Sequence, residues 1–181
     1  MFFKLQKSAK GNLVYLFDNT SQLAVLNLEK DELNYVKEQL KEQNTLIRLN
    51  KFSHQVFLIK IESESTWQND ESIRKQGAKL CAEVNGLKLD NIAIDNLTTQ
   101  KKPAYYLAEG AALANYQFLK YKAAAKKLSN SFKDIFFLPQ ALTLKEVKAL
   151  EVIIDAVYRS RDLINEPLHY LTSNVKILTN I

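Results

Sequence analysis

The side chains able to do chemistry in this sequence are few and scattered. His54 and His169 are the only histidines, and neither has a second histidine or a carboxylate at the i, i+4 spacing that sets two ligands on one helical face. Cys81 is the only cysteine, so no disulfide closes within the chain and no cysteine zinc site can be assembled. The apolar pattern around Cys81 places it on a buried helical face, the setting of an inert thiol and not of a nucleophile. Asp90, Asp95 and Asp134 flank predicted strands, where ligand-binding groups of α/β domains gather, although aspartate there is also an ordinary turn or cap residue. The glycines are Gly11, Gly77, Gly86 and Gly110, no two of them close, so neither a Walker loop nor a dinucleotide fingerprint can form. Tyr116, Lys120, Tyr121, Lys122, Lys126 and Lys127 mix aromatic rings with positive charge, as single-stranded nucleic-acid surfaces do. A solvated helix end whose lysines suit the C-terminal dipole accounts for the same residues. The sequence thus offers no catalytic, cofactor-binding or metal-ligating residue, and one candidate basic surface, Lys120, Lys122, Lys126 and Lys127.

The elements that would position these residues follow from hydrophobic period. Residues 2–7 and 12–17 read as strands around Gly11, and 23–28 as a third strand or the lead into a helix. Asp31 to Gln43 carries Leu33, Val36 and Leu40 at helical spacing on an otherwise polar surface. Residues 45–49 and 54–61 read as a hairpin around the turn-like 50–53. From Gln68 to Asn85 the set Ile73, Gly77, Leu80, Cys81 and Val84 predicts a helix with one buried face, stopped at Gly86. Residues 90–94 form a strand, Pro103 opens a helix running to about Lys120, and 134–138 form a further strand ended by Pro139. Thr143 and Glu146 make a capping box for a helix to about Ile164, with Val147, Leu150, Ile154 and Val157 inward. This order predicts an α/β fold, a mixed sheet with helices on both faces.

Composition bounds the class. In 181 residues, 46% are hydrophobic and 25% charged, which is ordinary globular composition for a single domain. No apolar run approaches the ~18 residues of a membrane span, and Lys4 and Lys7 interrupt the start too early for a secretory h-region. With the lone cysteine this predicts a cytoplasmic protein with no membrane partner, in which the sequons at Asn19 and Asn96 are chance matches. The net charge of +5 permits weak nucleic-acid contact. The basic residues are nearly all lysine, however, with arginine only at Arg48, Arg74, Arg159 and Arg161, whereas base-edge recognition favours arginine.

Two stretches together resemble a known family. Residues 108–122, Ala108-Glu109-Gly110-Ala111-Ala112-Leu113-Ala114-Asn115-Tyr116-Gln117-Phe118-Leu119-Lys120-Tyr121-Lys122, resemble a helix of the leucyl aminopeptidases with its small residues, Tyr, Phe and Lys-Tyr-Lys. Ser160-Arg161-Asp162-Leu163-Ile164-Asn165-Glu166-Pro167, followed by Leu171-Thr172, resembles the segment in which that family passes from its first domain to its catalytic one. Their order and separation fit, as does the helix from Ser72 to Val84 with Arg74 and Gly77 at its start. The likeness spans roughly residues 70–172, with His169 and Ser173 where the family often has Asn and Pro.

The resemblance implies an N-terminal, macro-domain-like domain over residues 1–165, and over 166–181 a linker or the start of a catalytic domain. Arg161, Asp162, Asn165 and Pro167 are its motif residues. It implies that this chain is not an enzyme on its own, since the family's two-metal centre, holding zinc or manganese, uses motifs that are absent here. It further implies roles in assembly, as a hexamer in related enzymes, and in access to the active site, with the catalytic domain and other subunits as partners. The rival expectations are a nucleic-acid-binding module on the Lys/Tyr surface and a macro-like ADP-ribose-binding domain, the latter disfavoured by the missing glycine loops. The apolar residues after Pro167 are expected to be loosely held.

Overall fold

Six short strands build the centre of the protein, and three of them are apolar on both faces. The computed structural model describes residues 2–167. The strands are β1 (Phe2–Leu5), β2 (Leu13–Phe17), β3 (Leu46–Asn50), β4 (Gln55–Lys60), β5 (Asn91–Asn96) and β6 (Asp134–Phe137). They lie in the order β1-β6-β5-β2-β4-β3, all parallel to their neighbours except β3, which closes an antiparallel hairpin with β4. The mixed sheet is the one the sequence predicts.

Alternation along β4 separates two cores. Phe57 and Ile59 point to the larger one, which gathers residues of α2 (Trp67–Gly86), α3 (Pro103–Asn115) and α5 (Leu144–Asn165). Val56 and Leu58 point to the opposite face, where Val36 of α1 (Lys30–Lys41) and Leu23 of a 3-10 helix (Thr20–Leu26) cover β2, β3 and β4. A strand buried on both sides must be a near-continuous apolar run, and β4 is one. A fourth helix, α4 (Ala125–Leu128), is a single turn on the surface.

The α2 and α3 helices touch backbone to backbone. A Cβ on Gly77 would lie 2.2 Å from the Leu107 carbonyl oxygen, and one on Gly110 would lie 2.0 Å from that of Arg74. Glycine at both positions permits the contact. Beside it, Arg74 Nε bonds Glu109 at 2.5 Å and its guanidinium lies over the Tyr106 ring.

Several boundaries differ from the sequence expectation. The 23–28 segment is not a third strand: it holds the end of the 3-10 helix and leads into α1, and that 3-10 helix is capped by Asn19, whose side chain accepts from the Ser21 amide. Helix α3 ends at Asn115 instead of near Lys120, because the Asn115 side chain is taken up by tertiary bonds. Gly86 is the last residue of α2, and the left-handed turn that follows falls on Lys88, with φ of 55°. In α5 the Thr143 box forms as expected, and Val147, Leu150 and Ile154 are buried, while Val157 is half-buried. Helix α5 ends at Asn165, and residues 168–181, including His169 and the apolar tail positions, lie outside the described residues.

Candidate functional site

The motif residues of the two family-like stretches meet at the C-terminal end of α5. The arrangement begins at Asn115, where α3 stops. The Asn115 Oδ1 accepts from Asn85 Nδ2 at 3.0 Å and Asn130 Nδ2 at 2.8 Å, while its Nδ2 donates to the Phe132 carbonyl at 2.8 Å. Asn85 Oδ1 accepts from the Phe132 amide in turn. These three asparagines tie both ends of the 116–131 segment to α2 and turn the chain away from the α3 axis. Tyr116 is thereby extended, with φ of −58° and ψ of 134°.

Tyr116 is the hub between this turn and α5. Its ring packs edge-on against Tyr158 at 5.2 Å and lies under the Arg161 guanidinium at 5.3 Å. Its hydroxyl donates to Asp162 Oδ1 at 2.8 Å and accepts from Asn165 Nδ2 at 3.2 Å. Arg161 donates to the Leu113 carbonyl at 2.7 Å and Tyr158 donates to that of Ala112, two carbonyls that α3 leaves unpaired at its end. One turn on, Lys120 and Tyr121 both bond Glu166, whose own amide donates to the Asp162 carbonyl. Pro167 disfavours helical backbone in the residue before it, and Glu166 is extended accordingly.

The electrostatics follow the contacts. Burial pushes the Tyr158 hydroxyl up to about 12, with Cys81 nearby adding to it, and burial pushes the Cys81 thiol up to about 11. The hydrogen bonds from Lys120 and Tyr121 hold the Glu166 carboxyl below the usual glutamate range, and Glu166 raises Lys120 in return. None of these groups is poised near neutrality. The assembly is therefore a clamp that ties the 116–121 segment to the C-terminal end of α5.

The remaining sequence candidates are dispersed. Arg161, Asp162 and Asn165 belong to the clamp, and Pro167 terminates it. Lys120 faces Glu166 and so is not part of a free basic patch, whereas Lys122, Lys126 and Lys127 are exposed on the 116–131 segment. Asp90 and Asp134 stand at the N-terminal ends of β5 and β6, and Asp95 at the C-terminal end of β5, about 13–16 Å along the strand direction. Among the described residues no three His, Cys, Asp or Glu side chains are placed to hold a metal ion. The described residues thus do not fit a two-metal centre. Asp95 is buried, which raises its carboxyl, and it accepts from the Asn96 amide and Gln140 Nε2. Beside it an open depression of about 470 Å³ is lined by Asn96, Thr98, Gln100, Gln140 and Glu146, with no glycine. Its polar groups bond one another: Asn96 donates to the Gln100 carbonyl and accepts from Thr98, and Thr143 donates to Glu146. His54 lies at the β3–β4 turn against Ser53, and Asn96 of the second sequon is buried. No described helix is long and apolar enough to cross a membrane.

The asparagine triad and the Glu166 anchor are what sequence reasoning missed. Asn85, Asn115 and Asn130 carry no periodic signal, and only their partners in space give them a role.

This fold and its exit clamp define an α/β domain, part of which is similar in sequence to part of the cytosol aminopeptidases. No family model matches the chain. It is 33% identical over 116 residues to the cytosol aminopeptidase of Rickettsia prowazekii, and 30% identical over 116 residues to the probable cytosol aminopeptidase of Rickettsia typhi. Each match covers 59% of this chain and 23% of the relative, so the chain matches less than a quarter of those proteins. A solved tomato leucine aminopeptidase mutant superposes on 95% of this chain and 40% of its own, with a TM-score of 0.68 at 16% identity. The fold is shared with that enzyme.

Proposed function

We propose that this chain serves as the non-catalytic N-terminal domain of a cytoplasmic, leucyl-aminopeptidase-like metallo-exopeptidase. In that role it shapes subunit assembly and access to the active site, while the two divalent ions, zinc or manganese, belong to the catalytic domain of the parent enzyme. The clamp supports this reading most strongly. Residues from two stretches singled out for their likeness to the family converge at the point where the chain leaves α5, with Tyr116 held by Arg161, Asp162 and Asn165. Such a device matters where a following domain must be held in a fixed direction.

A chimera tests the reading. Residues 1–167 replace the matching region of the Rickettsia prowazekii cytosol aminopeptidase, and subunit number and leucine release are measured. Retained assembly and activity, with the purified chain alone releasing no leucine in zinc, manganese or magnesium, is the expected result. A chimera that folds but falls apart into inactive subunits would overturn it.

Exposure of Lys122, Lys126 and Lys127 on a segment without a carboxylate from 116 to 131 favours a second reading, weak nucleic-acid contact. Lysines neutralise phosphates without reading bases, so binding should be sequence-independent and steeply salt-dependent. A titration of single-stranded DNA at several salt concentrations checks it, and tight sequence-selective binding at physiological salt counts against both readings.

A further inference from the structure

The mixed sheet has an open edge beside α5. β1 is its last strand, and among the described residues no strand pairs with its outer side. The Phe2 and Gln6 amides donate to the Lys133 and Phe137 carbonyls, and amides alternate along a strand, so those of Phe3 and Leu5 point away from β6. Lysine commonly guards such an edge, but the Lys4 ammonium lies over the Phe2 and Phe136 rings and so leans toward β6. Phe2 and Leu5 stand exposed on opposite faces of the edge.

We propose that residues 174–179, Asn174-Val175-Lys176-Ile177-Leu178-Thr179, add to this edge as a further strand parallel to β1. The topology of the described elements selects the place. β4 passes through α2 to β5, and β5 through α3 to β6, both crossovers on the face of the larger core and both landing nearer β1. α5 leaves β6 on that same face and packs on β1. It ends where Asp162 meets Tyr116, level with the start of β6, since the neighbouring Asn115 bonds the Phe132 carbonyl. A further crossover of the same hand from there lands outside β1. The pattern suits the place: Val175, Ile177 and Thr179 alternate with Lys176 and Leu178, a β-branched face for the α5 side beside Phe3 and Leu5. Residues 168–173 reach roughly 20 Å when extended, which serves the β1 edge, whereas the β3 edge lies five strand spacings or about 24 Å beyond it. A free second chain is the poorer occupant, because a four-residue strand offers too few bonds to offset the freedom lost on association, a loss that a tethered segment largely escapes. The family resemblance makes residues 166–181 a linker, and the open edge gives that linker a docking place.

The inference stands apart from the proposed enzyme role, since it uses only the described sheet and the pattern of residues 174–179. Amide exchange of the full chain, read by nuclear magnetic resonance, is the experiment. The Phe3 and Leu5 amides should exchange at least about tenfold more slowly than in a Lys176→Pro, Ile177→Pro double variant, which removes a donor facing β1 in either register. The Lys4 amide faces β6 and should stay protected in both, the control for an intact sheet. Nuclear Overhauser contacts from Phe3 and Leu5 to residues 175–178 in the unaltered chain are the direct readout, and they alone decide if the double variant loses Lys4 protection as well. Fast exchange of Phe3 and Leu5, or the absence of those contacts, overturns the proposal, as does protection that survives the two prolines. Protection that fades on about tenfold dilution assigns the edge to a second copy and overturns it too.

Discussion

Cys81 shows how little a reactive residue type means without its surroundings. The thiol is 3% exposed, touches Asn85 and Asn115, and is pushed up to about 11 by burial. Set against an ordinary 9.0, that shift leaves about a hundredfold less thiolate near neutral pH, before access is considered. A disulfide reagent should therefore label no thiol in the native protein and one per chain in denaturant, and rapid labelling of folded protein would contradict the burial. Gly110 makes the complementary point for a residue with no chemistry. An added Cβ meets the Arg74 backbone, which a helix cannot move aside, so Gly110→Ala should cost about 3 kcal/mol, read from urea unfolding. A variant as stable as the parent would show that α2 and α3 can part without cost. The sequence places Cys81 on a buried helical face, since apolar period reports burial, and puts Gly110 in a helix without assigning its face. It is silent on contact distance, which a neighbouring helix sets.

At the scale of elements, what was readable depended on range. The Thr143 box and Pro103 start of α3 use partners within a few residues, so local pattern suffices for α5 and for the opening of α3. The end of α3 does not. Its period runs on toward Lys120, but Asn115 bonds Asn85 and Asn130 instead, and tertiary bonds outweigh weak helical propensity. The clamp was half readable for the same reason: Arg161, Asp162, Asn165 and Lys120 are visible as motif members, while their pairing spans 45 or more residues and leaves no spacing to find. Removing the Tyr116 hydroxyl as Phe should lower the urea midpoint slightly while keeping the ring contacts. Arg161→Ala loses a carbonyl bond and a ring contact together and should cost about 2 kcal/mol, with amide exchange quickening first in the last turn of α5. Equal exchange in both variants and the parent would mean that the clamp is decorative. Acid should open its outer half. The Glu166 carboxyl is lowered by its bonds, so its contribution is present above the ordinary glutamate range and fades as pH falls through the lowered value. Lys120 is raised, so its share is lost only above the ordinary lysine range. Proteolysis after Asn165 should then rise on acidification in the parent, and in Glu166→Gln it should be high at every pH.

For the molecule as a whole, the strand order was beyond the sequence, because the crossover from β4 through α2 to β5 passes over β2 and no local pattern encodes which side a crossover lands on. The two-faced sheet was within reach, since β4 reads as a continuous apolar run and such runs require cover on both sides. The same reasoning applied to α5 gives a test of the entire packing scheme from two neighbouring residues. Ile154 is 3% exposed and belongs to the cluster that joins α5 to α3 and the sheet, whereas Val152 is 70% exposed on the opposite side of the same helix. An aspartate carries the same charge and the same helix propensity at either position, so only the environment differs. At Ile154 it would be buried without a partner and leave a cavity, which costs several kcal/mol, comparable to the whole stability of a domain. At Val152 it stays in water and should alter stability by less than about 0.5 kcal/mol. Ile154→Asp should therefore be unfolded at room temperature by circular dichroism and Val152→Asp should melt with the parent. If both variants melt like the parent, α5 does not close the larger core and the face assignment of the helix is wrong. If both unfold, the outer face of α5 at Val152 is itself part of a core.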